Sequence, residues 1–131
     1  MSMNVTAGPT PYDAVRTLSA EALLQELRSD VPLTILDVRD RAQIDATGTI
    51  AGARTFPLYQ LAARRAELEP HRSTAIVIVS QRGHRARIAA FELGLDGFEE
   101  VFVLDGGILR WLELGYAVEP RRSRIPSAPR A

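Results

Sequence analysis

The run Ala75-Ile-Val-Ile-Val79 constrains this chain most. Four of its five residues are β-branched, which favours an extended backbone. No polar residue interrupts it, so both faces of the strand it forms must be covered. Leu33-Thr-Ile-Leu-Asp37, a short apolar run ending in a polar residue, and Val101-Phe-Val-Leu104 also read as strands. Stretches with helical spacing lie between them. Such alternation argues for an α/β fold with a central parallel sheet and helices on both faces.

The helices are read from spacing and end signals. Ser19 is a plausible N-cap, Glu21 suits the first turn, and Leu23, Leu24 and Leu27 fall on one face. A short helix is expected over Arg41 to Thr47, stopped by Gly48, and a short strand over Arg54 to Phe56, closed by Pro57. Leu58 to Leu68 is helical in composition. Ile88, Phe91 and Leu95 predict the apolar face of the next helix. Ile108, Trp111 and Leu112 mark the last one, which Gly115 ends. Residues 1 to 17 carry no period and read as an arm, 18 to 119 as one domain, and 120 to 131 as a flexible basic tail.

Composition narrows the function. Sixteen arginines, with no lysine, balance 16 acidic residues, so the basic excess expected of a nucleic-acid binder is missing. No run approaches the roughly 20 apolar residues of a membrane span, and the first ten residues do not resemble a signal peptide. The expectation is a cytoplasmic protein with neither nucleic acid nor membrane as partner. The count of zero cysteines excludes disulfides, thiolate metal sites and thiol catalysis. Two histidines 13 residues apart make no metal-ligand set, and no cofactor is expected.

In parallel α/β folds, ligands sit beyond the carboxyl ends of the strands. Those ends are Asp37-Val-Arg-Asp40, Ser80-Gln-Arg-Gly-His-Arg85 and Asp105-Gly-Gly107. The second passes from a strand through a short loop into a helix whose first N–H groups lack helical acceptors and favour an anion. The candidate anion-binding loop is Gln81, Arg82, Gly83, His84, Arg85 and Ala86, with the Ser80 hydroxyl at its mouth. An ordinary turn with solvated arginines is the alternative. Asp37 and Arg39 are supporting residues, the first expected on neighbouring backbone and the second on a carboxylate. His84 is expected to face solvent. Gly106 and Gly107 allow close backbone passage, and Trp111 packs in the core. Tyr59 and Leu61 are candidates for the pocket rim. His71 has no assigned role.

Three segments in order resemble the rhodanese-like (thiosulfate sulfurtransferase) family. Leu36-Asp-Val-Arg-Asp40 with Gly48-Thr-Ile-Ala-Gly-Ala53 and Pro57 is similar to its first signature, D-V-R-E then G-H-I-P-G-A and P. Ser80-Gln-Arg-Gly-His-Arg85 resembles its active loop, C-x-x-G-x-R. Val103-Leu-Asp-Gly-Gly107 with Trp111 and Gly115 resembles its closing signature. The resemblance implies a persulfide chemistry in which a loop cysteine takes the outer sulfur of thiosulfate and the loop arginine, here Arg85, orients the anion.

The cysteine position is Ser80, and a serine hydroxyl is far less acidic than a thiol. The chain is therefore expected to be inactive in sulfur transfer. Thr49 and Ala51 also depart from the signature, at positions outside the loop. One reading is a non-catalytic binding or regulatory module. The other is a sulfurtransferase carrying a cysteine-to-serine change. Implied partners are a thiosulfate-like or other oxyanion and a protein thiol or regulatory protein. A related phosphatase loop, C-x5-R, is one residue longer. A Ser-His-Asp hydrolase, using Ser80 with His84 or His71 and Asp37 or Asp105, lacks the G-x-S-x-G elbow.

Overall fold

The computed structural model describes residues 15–120. Residues 1–14 of the expected arm and 121–131 of the expected tail lie outside them. The strands are β1 (Arg16–Leu18), β2 (Leu33–Asp37), β3 (Arg54–Thr55), β4 (Ala75–Val79) and β5 (Val101–Leu104). All pairs are parallel, in the order β1-β5-β4-β2-β3. The β-branched run is thus the middle strand. Its side chains alternate between two cores. Ile76 and Ile78 meet Leu36, Val103 and the helix α4 (His84–Leu95) on one face. Val77 and Val79 meet Ile35, Leu104 and the helices α1 (Ala20–Leu27) and α5 (Gly107–Glu113) on the other. The expected doubly covered parallel sheet is what forms.

The helix expected over Arg41 to Thr47 forms as α2 (Arg41–Thr47) and stops at Gly48, and the other end signals act as read. The Ser19 side chain accepts from the Ala22 N–H at 3.0 Å. After α5, Gly115 takes a φ of +79°, and the Tyr116 N–H reaches back to the Trp111 carbonyl at 3.2 Å. Trp111 is buried, and its indole N–H donates to the Ala117 carbonyl at 2.9 Å.

Four expectations change. β1 occupies a stretch read as aperiodic, because three residues are too few to show a period. Leu27 ends α1 at 37% exposed, leaving Leu23 as the buried leucine of that helix. Leu58 to Leu68 is not one helix: a 3₁₀ turn over Leu58–Gln60 precedes α3 (Leu61–Arg64), and a second 3₁₀ stretch runs over Arg65–His71. The buried face of α4 is Ala86, Ala89, Ala90 and Leu93, and Leu95 is 74% exposed. Small alanines against the sheet allow close approach but give no bulky apolar stripe to read.

His71 is a structural link, bridging Thr34 through Nδ1 at 3.1 Å and Arg54 through Nε2 at 3.2 Å. On the surface nearby, a hydrogen bond from Arg72 holds the Glu69 carboxyl below its ordinary range, and one from Arg64 does the same for Glu67. Among the described residues no helix is long and apolar enough to cross a membrane.

The position of α4 sets a clear test. Leu93→Ala should cost about 2–5 kcal/mol in urea unfolding. Leu95→Ala should stay within roughly 0.5 kcal/mol. The reverse ranking would mean the helix is wrongly phased.

Candidate functional site

The carboxyl ends of β2, β4 and β5 lie side by side and carry the three segments of interest. At the end of β2, Asp37 and Arg39 are both buried and paired with each other. The Asp37 carboxylate accepts from the Arg39 backbone N–H at 3.1 Å, Arg39 Nε at 3.0 Å, Arg39 Nη2 at 2.8 Å and Thr49 Oγ1 at 2.7 Å. Arg39 also donates through Nη1 to Thr47 Oγ1 at 2.9 Å and Gln81 Oε1 at 3.3 Å, and through Nη2 to the Gly48 carbonyl at 3.0 Å. All five guanidinium N–H groups are thereby used. Asp37 serves more than neighbouring backbone, and Arg39 finds its carboxylate two residues away. Thr49, at the histidine position of the resembled signature, is a member of this network.

The loop after β4 is held from behind. The Ser80 and Gln81 carbonyls accept from the Ile108 and Leu109 N–H groups of α5 at 2.9 and 3.2 Å. Gly107 makes this approach possible: a Cβ there would lie 2.5 Å from the Ser80 carbonyl oxygen. The expected close backbone passage is thus at Gly107. With these carbonyls engaged by α5, the loop's other side can present N–H groups. Gly83 has a φ of +115° and caps α4, whose first N–H groups lack helical acceptors.

The Ser80 side chain is the floor of this site, not its mouth. Ser80 is 1% exposed, yet it lines a cavity of about 200 Å³ with Arg39, Gln43, Gln81, Arg82, His84 and Arg85. Its Oγ accepts from the Gly83 N–H at 2.9 Å. Among the described residues nothing accepts its own O–H proton. A buried hydroxyl with an unused donor is costly unless a ligand takes it.

The charges around the loop also differ from expectation. The first turn of α4 holds no acid and begins His84-Arg85, against the preference of a helix N-terminus for negative charge. One acid does reach it: Asp40 lies 3.6 Å from Arg85, with both side chains about half exposed. Asp40 belongs to a different strand end, so its closeness to Arg85 cannot be read from the loop segment itself. His84 is exposed, as expected. The Ala86 side chain sits in the core. Leu61 is buried and leaves the rim to Tyr59.

Among the described residues Ser80 makes no hydrogen bond to His84 or His71, so no hydrolytic triad assembles. Asp37 is taken up by Arg39 and Thr49, His71 contacts Thr34 and Arg54, and Ser80 Oγ bonds to Gly83. Among the described residues no cluster of three or more His, Cys, Asp or Glu could hold a metal ion.

Removing one partner of the buried pair should be severe. Arg39→Ala should cost about 3–5 kcal/mol in chemical denaturation, because it strands a buried carboxylate. Arg39→Lys should fail to restore most of that loss, since an ammonium cannot supply five donors in a fork. Near-wild-type stability of either variant would contradict the network.

Comparisons with known proteins agree with this fold. The model of the rhodanese-like domain matches residues 19–114. A protein named sulfurtransferase from Allochromatium vinosum is 30% identical over 104 residues, covering 79% of this chain and 94% of that protein. A protein named tRNA uridine(34) hydroxylase from Xanthomonas euvesicatoria is 36% identical over 86 residues, covering 63% of this chain. The match spans only 34% of that hydroxylase's length. The crystal structure of a rhodanese-related protein from Thermoplasma volcanium superposes with a TM-score of 0.72 at 27% identity, covering 81% of this chain and 99% of that one.

Proposed function

The chain belongs to the rhodanese-like domain family, and from that premise we propose that it binds a small oxyanion in the Ser80–Arg85 loop without transferring sulfur. The observation that carries this reading is the buried Ser80 hydroxyl, which lines the cavity and accepts from Gly83 while no described residue accepts its own proton. A cysteine at that place would ionise under the influence of the N–H groups and fill the cradle with its own negative charge. Serine stays neutral at any physiological pH. The same dipoles then have no internal anion to stabilise, and the hydroxyl adds one more donor. In this reading Arg82 and Arg85 supply the positive rim, and Arg39 positions Gln81 without contacting the ligand.

A second reading has support of its own. The Allochromatium relative, matched over nearly its whole length, is named a sulfurtransferase. On that reading the pocket is shaped for thiosulfate and lacks only its nucleophile. An introduced thiolate would attack the outer sulfur of thiosulfate, forming an S–S bond as sulfite leaves. The resulting persulfide would pass its terminal sulfur to cyanide and regenerate the thiolate.

Two measurements separate these. Calorimetric titration with sulfate should detect binding to the unaltered chain, weakened about fivefold or more in Ser80→Ala by loss of a buried hydrogen bond. Sulfate binding that ignores Ser80→Ala would overturn the oxyanion reading. Ser80→Cys should gain thiosulfate-to-cyanide transfer if the pocket is shaped for thiosulfate. If it does not, the second reading fails.

A further inference from the structure

Two hollows meet at Arg85. One is the loop cavity floored by Ser80. The other, of about 290 Å³, is lined by Asp40, Leu58, Tyr59 and Arg85. Tyr59 is 78% exposed, the most open of the large hydrophobic side chains among the described residues. It stands beside the site on the 3₁₀ turn that follows Pro57, so its ring forms an apolar shelf next to an anion cradle.

The charge around the cradle limits what it can hold. Three arginines border it: Arg39, Arg82 and Arg85. Arg39 is neutralised by Asp37, and Arg85 faces Asp40 at 3.6 Å. Arg82 has no ion pair among the described residues. Of the arginine charge, only Arg82 is therefore left without a facing acid; His84 also lines the cavity, and Ser80 and the loop backbone add neutral donors. A doubly charged ion would meet that single charge and the repulsion of Asp40. A singly charged head would be matched. Its three oxygens could share the Ser80 hydroxyl, the backbone N–H groups and Arg82.

We propose that this site takes an organic sulfonate-class monoanion, R–SO₃⁻, with its head in the Ser80–Arg85 loop and its apolar body across Leu58 and Tyr59. The proposal rests on the oxyanion reading of the loop and adds the ligand's charge and its organic part. Asp40 is then a selectivity residue. It holds Arg85 at the junction of the two hollows and sets the charge that the head may carry.

The test is calorimetric titration of the full chain with benzenesulfonate, methanesulfonate, thiosulfate and phenyl phosphate, at a pH where the phosphate monoester is a dianion. Benzenesulfonate should bind about fivefold or more tighter than methanesulfonate, through its ring on the shelf. It should also bind tighter than phenyl phosphate, which shares the ring but carries two charges. Tyr59→Ala should bring benzenesulfonate down to the level of methanesulfonate. Asp40→Asn, which keeps a side chain suited to the N-cap of the following helix, should favour the two dianions over the sulfonates. Equal affinity for the two sulfonates, no effect of Tyr59→Ala, or tightest binding of a dianion by the unaltered chain would overturn the proposal. If thiosulfate binds and depends on Ser80 while the sulfonates do not distinguish ring from methyl, the oxyanion reading stands and this inference falls. If none of the four anions binds, this inference falls, and if sulfate does not bind either, the oxyanion reading falls with it.

Discussion

The buried pair of Asp37 and Arg39 is the interaction on which the site depends. Taking two charges out of water is expensive, and their mutual attraction compensates only when the remaining donors and acceptors are also satisfied. Here they are. Arg39 uses five N–H groups on Asp37, Thr47, Gly48 and Gln81, and the carboxylate also accepts from Thr49. The consequence is geometric more than energetic. One guanidinium ties the end of β2 to residues 47–49 and to the first residue after Ser80. Thr49 in turn pairs its backbone with Glu119, so the end of the described chain is fastened to the same point.

A second constraint acts from the far side of the loop. The N-terminus of α5 draws the Ser80 and Gln81 carbonyls toward itself, across a glycine too close for any Cβ. Arg39 steadies the loop by a side chain, and α5 steadies it by backbone. Between them, Ser80 is set at the base of a cavity with positive charge around its rim. That arrangement suits stabilising a thiolate, and equally an anion that arrives from solvent. In the proposed function the choice between them turns on one atom, the oxygen in place of sulfur on the Cβ of residue 80.

Much of this was legible in the chain itself. The β-branched run marked the central strand, because continuous apolarity suits only a strand covered on both faces. The three signature segments pointed to adjacent strand ends, since each follows a strand. The end signals at Ser19 and Gly115 worked because they depend on a few neighbouring residues. What escaped was set by packing. The α4 face is built on alanines, which carry little periodic signal, so the bulkier Phe91 and Leu95 misdirected the reading. Leu58 to Leu68 has helical composition, yet tertiary contacts break it into 3₁₀ and α turns.

Taken alone, the sequence determined the parallel α/β class, the position of the loop and the absence of any thiol. Those follow from residue identity and local order, which do not change on folding. The tertiary structure alone decided which charges remain available. Three arginines border the loop, and nothing in their spacing says that Arg39 is consumed by Asp37 or that Arg85 is opposed by Asp40. It also decided that Ser80 is floor and not mouth, with its hydroxyl proton unclaimed among the described residues. Charge pairing and burial are relations between distant segments, and they exist only once the strand ends have been brought together.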